Sequence, residues 1–136
     1  MGKMEYNVTT TSHAGADSRA VAKQASIVLD TDMAGRVDAF NPAELLLAAV
    51  GTCMLKSMQR IIPMIQFEMQ GAEIKLHGVR QDIPPKIEEI TYEITVDTEE
   101  SDQRLQLLHK NIRKYGTISN TIAEATRLTG TIERHA

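Results

Sequence analysis

The residue in this chain most capable of chemistry is its single cysteine. Cys53 is the only cysteine among 136 residues, so an intrachain disulfide is excluded. A chemical role for this cysteine requires the thiolate form, and therefore a cation or hydrogen-bond donors close to the sulfur. The alternative is that Cys53 is a small buried apolar side chain, which is common for free cysteines. The sequence around it leaves both interpretations open.

Groups that could support this thiol are sparse. Lys56 lies one helical turn after Cys53 on a flanking side, and Arg60 shares its face further along the helix. His13 falls in a predicted turn, and His109 falls on the polar side of a predicted helix, where we expect it to be solvated. The four histidines are scattered, so neither a zinc site nor any other metal or cofactor site is predicted. Ser119-Asn120-Thr121 is predicted to cap a helix, because no histidine–acid pair is visible to activate a serine.

A long helix is predicted to carry Cys53. Asn41 offers an N-cap side chain, Pro42 suits the first helical position, and Glu44 stands at the third position as a capping residue. The run from Leu45 to Val50 is apolar on every side and is expected to be buried, and Pro63 is expected to end the helix. Gly51 inside the helix predicts that a neighbouring element packs closely against the backbone just before Cys53.

Shorter elements surround this helix. Strands are predicted over Glu5–Thr11 and Val21–Asp30 before it, and alternating apolar residues over Ala72–Leu76 and Ile90–Val96 predict a long hairpin after it. A second helix from Glu99 to Tyr115 ends at Gly116, and a short third helix and a strand over Arg127–Glu133 follow. The predicted order is β-β-α-β-β-α-α-β, an α+β sandwich forming a single domain over residues 1–136.

Composition narrows the possible partners. Lys and Arg number 15 against 18 Asp and Glu, and Trp is absent, which argues against a nucleic-acid binder that works by bulk positive charge or by stacking. The sequence contains no run of about 18 uninterrupted apolar residues, so no membrane-spanning helix is predicted. The first residues lead into a polar Thr/Ser stretch and not into an apolar signal core. We therefore expect a cytoplasmic protein with neither nucleic acid nor membrane as partner.

Two segments carry a family resemblance. Residues 41–53, Asn-Pro-Ala-Glu-Leu-Leu-Leu-Ala-Ala-Val-Gly-Thr-Cys, resemble the central-helix motif of the OsmC/Ohr family of osmotically inducible and organic-hydroperoxide-resistance proteins. Residues 114–122 resemble its second motif, normally Cys-Pro-Val-Ser followed by a short helix. The resemblance implies an intertwined homodimer with two active sites at the subunit interface. It also implies a thiol peroxidase mechanism in which Cys53 is the peroxidatic cysteine and forms a sulfenic acid.

The chain departs from the family pattern at three places. Gly116 occupies the position of the resolving cysteine, and Ala43 occupies that of a glutamate found in the hydroperoxide-resistance branch. The first-turn arginine of that branch aligns with Ala16, which leaves Arg19 and Arg36 as the candidates to assist the Cys53 thiolate.

Two functional hypotheses are compatible with these departures. The first is a one-cysteine peroxidase acting on organic or other hydroperoxides, regenerated by an external thiol. The alternative is an inactive relative that binds a small apolar ligand in the dimer-interface cleft. A purely structural dimer is a third possibility without positive support.

Overall fold

The structure is a computed structural model that describes residues 3–136, so Met1 and Gly2 of the predicted domain lie outside the described residues. It divides into two compact units, residues 3–45 and residues 46–136, with the long helix beginning in the first and continuing through the second.

The first unit contains a three-stranded antiparallel sheet. Strands β1 (Thr9–Thr11), β2 (Ser18–Ala22) and β3 (Ala25–Leu29) lie side by side in chain order. The predicted strand over Val21–Asp30 is therefore wrong, because it merges parts of two strands. They are joined by a tight turn in which Lys23 adopts a φ of 56°. This turn contains neither Gly nor Asn, the residues that usually indicate a left-handed conformation. The turn therefore could not be predicted from the sequence.

Helix α1 (Pro42–Ile65) begins as its capping residues predict. The Asn41 side chain accepts the Glu44 backbone N–H at 2.8 Å, and the Glu44 carboxylate accepts the Asn41 N–H at 2.9 Å. This reciprocal pair of bonds is a capping box, which satisfies two backbone donors at the helix start.

The end of α1 differs from the prediction, because the helix continues through Pro63 to Ile65. A proline this close to the end removes a single backbone hydrogen bond, and the terminus is closed by other means. Gln66 adopts a φ of 52°, and the Phe67 N–H donates to the Ile62 carbonyl at 3.0 Å. That 6→1 bond is the Schellman arrangement, here formed without the usual glycine.

The second unit places helices on one three-stranded sheet. Strands β4 (Gly71–Gln81) and β5 (Lys86–Asp97) form the predicted antiparallel hairpin, and β6 (Arg127–Arg134) lies parallel to β5 at the other edge. Helices α2 (Asp102–Tyr115) and α3 (Thr117–Ala123) connect β5 to β6. The predicted α+β architecture is confirmed, with one strand more at the beginning than expected.

The core of the second unit forms where α1 and α2 meet the inward face of β5. Every second side chain of β5 from Ile90 to Val96 points into it, as the alternating pattern predicts. Gly51 allows α1 to approach β4, since a Cβ at this position would lie 3.0 Å from the Leu76 side chain. The close packing expected from this glycine is therefore confirmed.

One expectation about α1 is wrong. The apolar run from Leu45 to Ala49 is only half-buried, because one chain does not supply enough surface to cover all sides of an apolar helix. By length and composition α1 could also cross a membrane, with a mean hydropathy of 1.4 over its best 18-residue window, of which 33% is buried. A helix in the core of a globular protein meets the same criterion.

Candidate functional site

Cys53 lies on the face of α1 that meets the junction between α2 and α3. Its side chain is half-buried, and its Sγ atom accepts the backbone N–H of Ile118 at 3.4 Å. Because an N–H group carries partial positive charge, it is a hydrogen-bond donor for either a thiol or a thiolate sulfur. The structure thus supplies one of the polar contacts that cysteine chemistry requires.

Gly116 forms the junction between α2 and α3 directly beside Cys53. A Cβ atom at position 116 would lie 3.3 Å from the Cys53 sulfur and 3.1 Å from the Ser119 hydroxyl oxygen. Its φ of −78° is open to any residue, so the backbone conformation does not demand glycine there. What glycine provides is close packing, because a Cβ at this position would crowd both the sulfur and the hydroxyl.

Ser119 is a member of this site that sequence reasoning assigned wrongly. The predicted capping role is incorrect, because α3 already begins at Thr117 and Ser119 lies within the helix. Its side chain is 1% exposed, and its hydroxyl has no hydrogen-bond partner within residues 46–136. An unpaired buried hydroxyl is costly and therefore uncommon. The sequence signal that could have identified Ser119 is its position three residues after Gly116. One helical turn places residues 116 and 119 on the same side of α3.

Arg36, one of the two arginine candidates, is held by carboxylates of the first unit. Its guanidinium makes a two-pronged contact with Asp38, at 2.9 and 3.0 Å, and donates to Asp17 at 2.9 Å. Donating hydrogen bonds to Asp38 and then to Asp17 raises the pKa of Arg36, and accepting the Arg36 hydrogen bond lowers the pKa of Asp38. Arg19, the other candidate, is exposed on β2. The role of either arginine beside Cys53 stays a prediction.

The remaining candidates have ordinary surroundings. Lys56 and Arg60 are exposed on α1, and His13 is exposed in the turn before β2. Glu44 serves the capping box, as predicted. Within residues 3–136 no group of three or more His, Cys, Asp or Glu side chains is arranged to hold a metal ion.

His109 differs from the solvated residue that the sequence predicted. Its Nε2 atom lies 2.6 Å from the Tyr92 hydroxyl, which Arg113 also contacts at 3.2 Å. Arg113 donates to the tyrosine oxygen, and the tautomer of His109 sets which side chain donates in the Tyr92–His109 bond. Burial, followed by the charge of Arg113, lowers the pKa of His109.

A comparison with curated proteins finds no match. Solved structures with the same fold are numerous, though distant in sequence. An OsmC-like protein from Mycoplasma pneumoniae is 17% identical with a TM-score of 0.88, and the match covers 98% of this chain and 100% of that one. An organic hydroperoxide resistance protein from Legionella pneumophila is 14% identical with a TM-score of 0.75, covering 96% and 99%. The organic hydroperoxide resistance protein OhrB of Bacillus subtilis is 12% identical with a TM-score of 0.67, covering 95% and 98%.

At these low identities the structural similarity shows the fold alone. Family membership is shown by a family model that matches the sequence itself. The model described as OsmC-like protein matches residues 32–130, which include α1, Cys53 and the α2–α3 junction. The match covers well over half of the chain. The chain therefore belongs to the OsmC-like protein family.

Proposed function

We propose that this protein reduces hydroperoxides through Cys53 alone, with an external thiol completing the cycle. Family membership and the relatives described as organic hydroperoxide resistance proteins support a general role in redox chemistry and peroxide resistance. The observation that carries the finer proposal is the contact of the Cys53 sulfur with the Ile118 N–H, where Gly116 lets the α2–α3 junction pack closely against the sulfur.

The reaction proceeds in balanced steps. The Cys53 thiolate attacks the terminal oxygen of a hydroperoxide, so that an S–O bond forms, the O–O bond breaks, and the departing alkoxide takes up a proton to become an alcohol. Cys53 is thereby oxidised by two electrons to a sulfenic acid. An external thiol then displaces the oxygen as water to form a mixed disulfide, and a second thiol releases reduced Cys53.

An external reductant is needed because residue 116 carries no sulfur. Cys53 is the only cysteine of the chain, so its sulfenic acid cannot be resolved within one subunit. Nor does a partner copy of the same chain offer a further cysteine beyond its own Cys53. The proposal therefore assigns the resolving step to a small thiol or a thiol protein in the cytoplasm.

We propose a homodimer as the working assembly, on the evidence of α1. A groove of about 950 Å³ runs along α1 towards the start of β4 and is lined by Leu55, Met58, Ile62, Phe67 and other residues. Leu55 is 42% exposed in the single chain, and the leucine run at the start of α1 is half-exposed. A second copy would cover apolar surface that a single chain leaves in water.

The same groove supports the alternative function, binding of a small apolar ligand. This alternative predicts an unreactive Cys53 and a ligand-dependent rise in the unfolding temperature that survives the substitution Cys53→Ser.

The test is hydroperoxide consumption with dithiothreitol as the external thiol. Cumene hydroperoxide and hydrogen peroxide serve as organic and inorganic substrates for the wild type and for Cys53→Ser. The proposal predicts catalytic turnover by the wild type and a rate equal to the uncatalysed background for Cys53→Ser. Equal rates for the two proteins would overturn it. Unfolding curves of both proteins control for misfolding.

A further inference from the structure

The Cys53 sulfur and the Ser119 hydroxyl lie on the same side of Gly116, close to one another. The position that a Gly116 Cβ would take lies within 3.3 Å of the Cys53 sulfur and 3.1 Å of the Ser119 hydroxyl. The third neighbour of that position is the Ile112 carbonyl oxygen, also at 3.1 Å. A sulfur, a hydroxyl and a carbonyl oxygen therefore surround the position at which any residue type other than glycine would have its Cβ atom.

The buried hydroxyl of Ser119 has no hydrogen-bond partner within residues 46–136. Its hydroxyl is closed off from solvent and unpaired within its unit, so in the reduced protein it carries the full desolvation cost of a polar group. The neighbouring hydroxyl on the same helix behaves differently, since Thr121 is exposed and donates to the Thr117 carbonyl at 2.9 Å. An oxygen bound to the Cys53 sulfur would give Ser119 the partner that it lacks.

We propose that Ser119 holds the oxygen that Cys53 gains from a hydroperoxide. This inference rests on the proposed function, and it identifies Ser119 as the residue that stabilises the oxidised state. The Ser119 hydroxyl donates to the sulfenate oxygen over about 2.7 Å, while the Ile118 N–H stays with the sulfur. If the sulfenic acid is protonated, its O–H can donate to the Ile112 carbonyl.

This arrangement suits a one-cysteine cycle. Without a resolving cysteine the sulfenic acid must persist until an external thiol arrives, and during that time it is open to further, irreversible oxidation. A hydrogen bond from a buried hydroxyl extends its lifetime. Glycine at position 116 then avoids a Cβ that would crowd both the Ser119 hydroxyl and the Cys53 sulfur.

The experiment compares wild type, Ser119→Ala and the matched control Thr121→Ala. Cys53 is oxidised with one equivalent of cumene hydroperoxide, and the sulfenic acid that remains is trapped at intervals with dimedone and counted by intact-mass spectrometry. Loss of a buried hydrogen bond to a charged oxygen should shorten the lifetime of the sulfenic acid about tenfold in Ser119→Ala. Thr121→Ala should stay within about twofold of wild type.

A second measurement separates this role from a structural one. Because Ser119 has no partner in the reduced state, Ser119→Ala should leave the unfolding temperature of the reduced protein unchanged or raise it. A sulfenic acid equally long-lived in Ser119→Ala and wild type would overturn the inference. A lowered unfolding temperature in reduced Ser119→Ala would do the same, because it would show that the hydroxyl already has a partner.

Failure of the proposed function would be recognised separately. If wild-type Cys53 does not react with one equivalent of hydroperoxide, the peroxidase proposal fails. Excess hydrogen peroxide, removed before sulfinic acid accumulates, then generates the sulfenic acid, and its lifetime in the three proteins still decides the role of Ser119.

Discussion

At the scale of single residues, three positions form the immediate surroundings of the cysteine. Cys53 supplies the sulfur, Ile118 supplies a backbone N–H to it, and Gly116 lets the α2–α3 junction approach it closely. The environment of the thiol therefore comes from the α2–α3 junction, which is far from Cys53 in sequence. Sequence reasoning could identify Cys53 by its type and its motif, but the junction residues that contact it became visible only with the fold.

A cysteine introduced at position 116 should bond to Cys53. The Cβ of residue 116 would lie 3.3 Å from the Cys53 sulfur, close to the separation of about 3 Å that a disulfide requires. Oxidised Gly116→Cys should lose both free thiols and about 2 Da of mass. The double variant Cys53→Ser, Gly116→Cys is the control and should form no internal bond. Two thiols that stay free under an oxidant would contradict the geometry of the site.

The environment of His109 predicts how stability depends on pH. Its pKa is lowered from 6.5 by burial and by Arg113, so the unfolded chain binds a proton more readily than the folded one. The contribution of His109 to stability is therefore complete above its unfolded pKa and declines as the pH falls below that value.

Urea unfolding between about pH 8 and pH 5 measures this dependence. The loss of stability towards acid should be smaller in His109→Gln than in wild type. The exposed His13 provides the control, and His13→Gln should follow the wild-type curve. Identical pH profiles for wild type and His109→Gln would show that burial beside Arg113 does not lower the pKa of His109.

At the scale of elements, the local signals with a definite stereochemical mechanism were the most dependable. Asn41 and Glu44 predicted a capping box, and the structure contains both of its hydrogen bonds. Pro63 predicted a helix end two residues too early, because tertiary packing can compensate for one lost bond near a terminus. The turn at Lys23 had no sequence signal at all, since its conformation is imposed by the pairing of β2 with β3.

Removing the N-cap of α1 should weaken the protein measurably. Asn41→Ala deletes the acceptor for the Glu44 N–H and should lower the free energy of unfolding by about 1 kcal/mol. Asn41→Asp keeps an acceptor of the same shape and should stay close to wild type. Chemical denaturation of the three proteins provides the comparison. An alanine variant as stable as the aspartate variant would mean that the capping box contributes nothing.

At the scale of the whole molecule, the main unsatisfied feature is the apolar surface of α1. The sequence correctly predicted an apolar helix, but its burial could not be deduced from one chain, because the cover for its first turns is not supplied by that chain. The candidate site shows the same division. Cys53 could be found from the sequence alone, whereas local sequence patterns could not decide between Arg19 and Arg36, because their distance from the sulfur depends on tertiary structure.

A substitution in the α1 groove should separate the proposed dimer. Leu55→Asp places a charge on the exposed face that lines the groove and should convert the protein to a monomer of 15.1 kDa. Leu107 on α2 has a similar exposure, 38% against 42% for Leu55, and lies outside the groove. Sedimentation equilibrium should therefore give twice the chain mass for wild type and Leu107→Asp. An unchanged dimer in Leu55→Asp would exclude the groove as the interface.

The most direct test of the central claim is the reaction of Cys53 with a hydroperoxide in a single turnover. Reduced protein is mixed with one equivalent of cumene hydroperoxide, quenched at intervals and weighed intact by mass spectrometry. Cys53 should gain about 16 Da much faster than free cysteine does, and added thiol should reverse the gain. Oxidation no faster than that of free cysteine would exclude a peroxidase role for Cys53 and would favour ligand binding in the α1 groove.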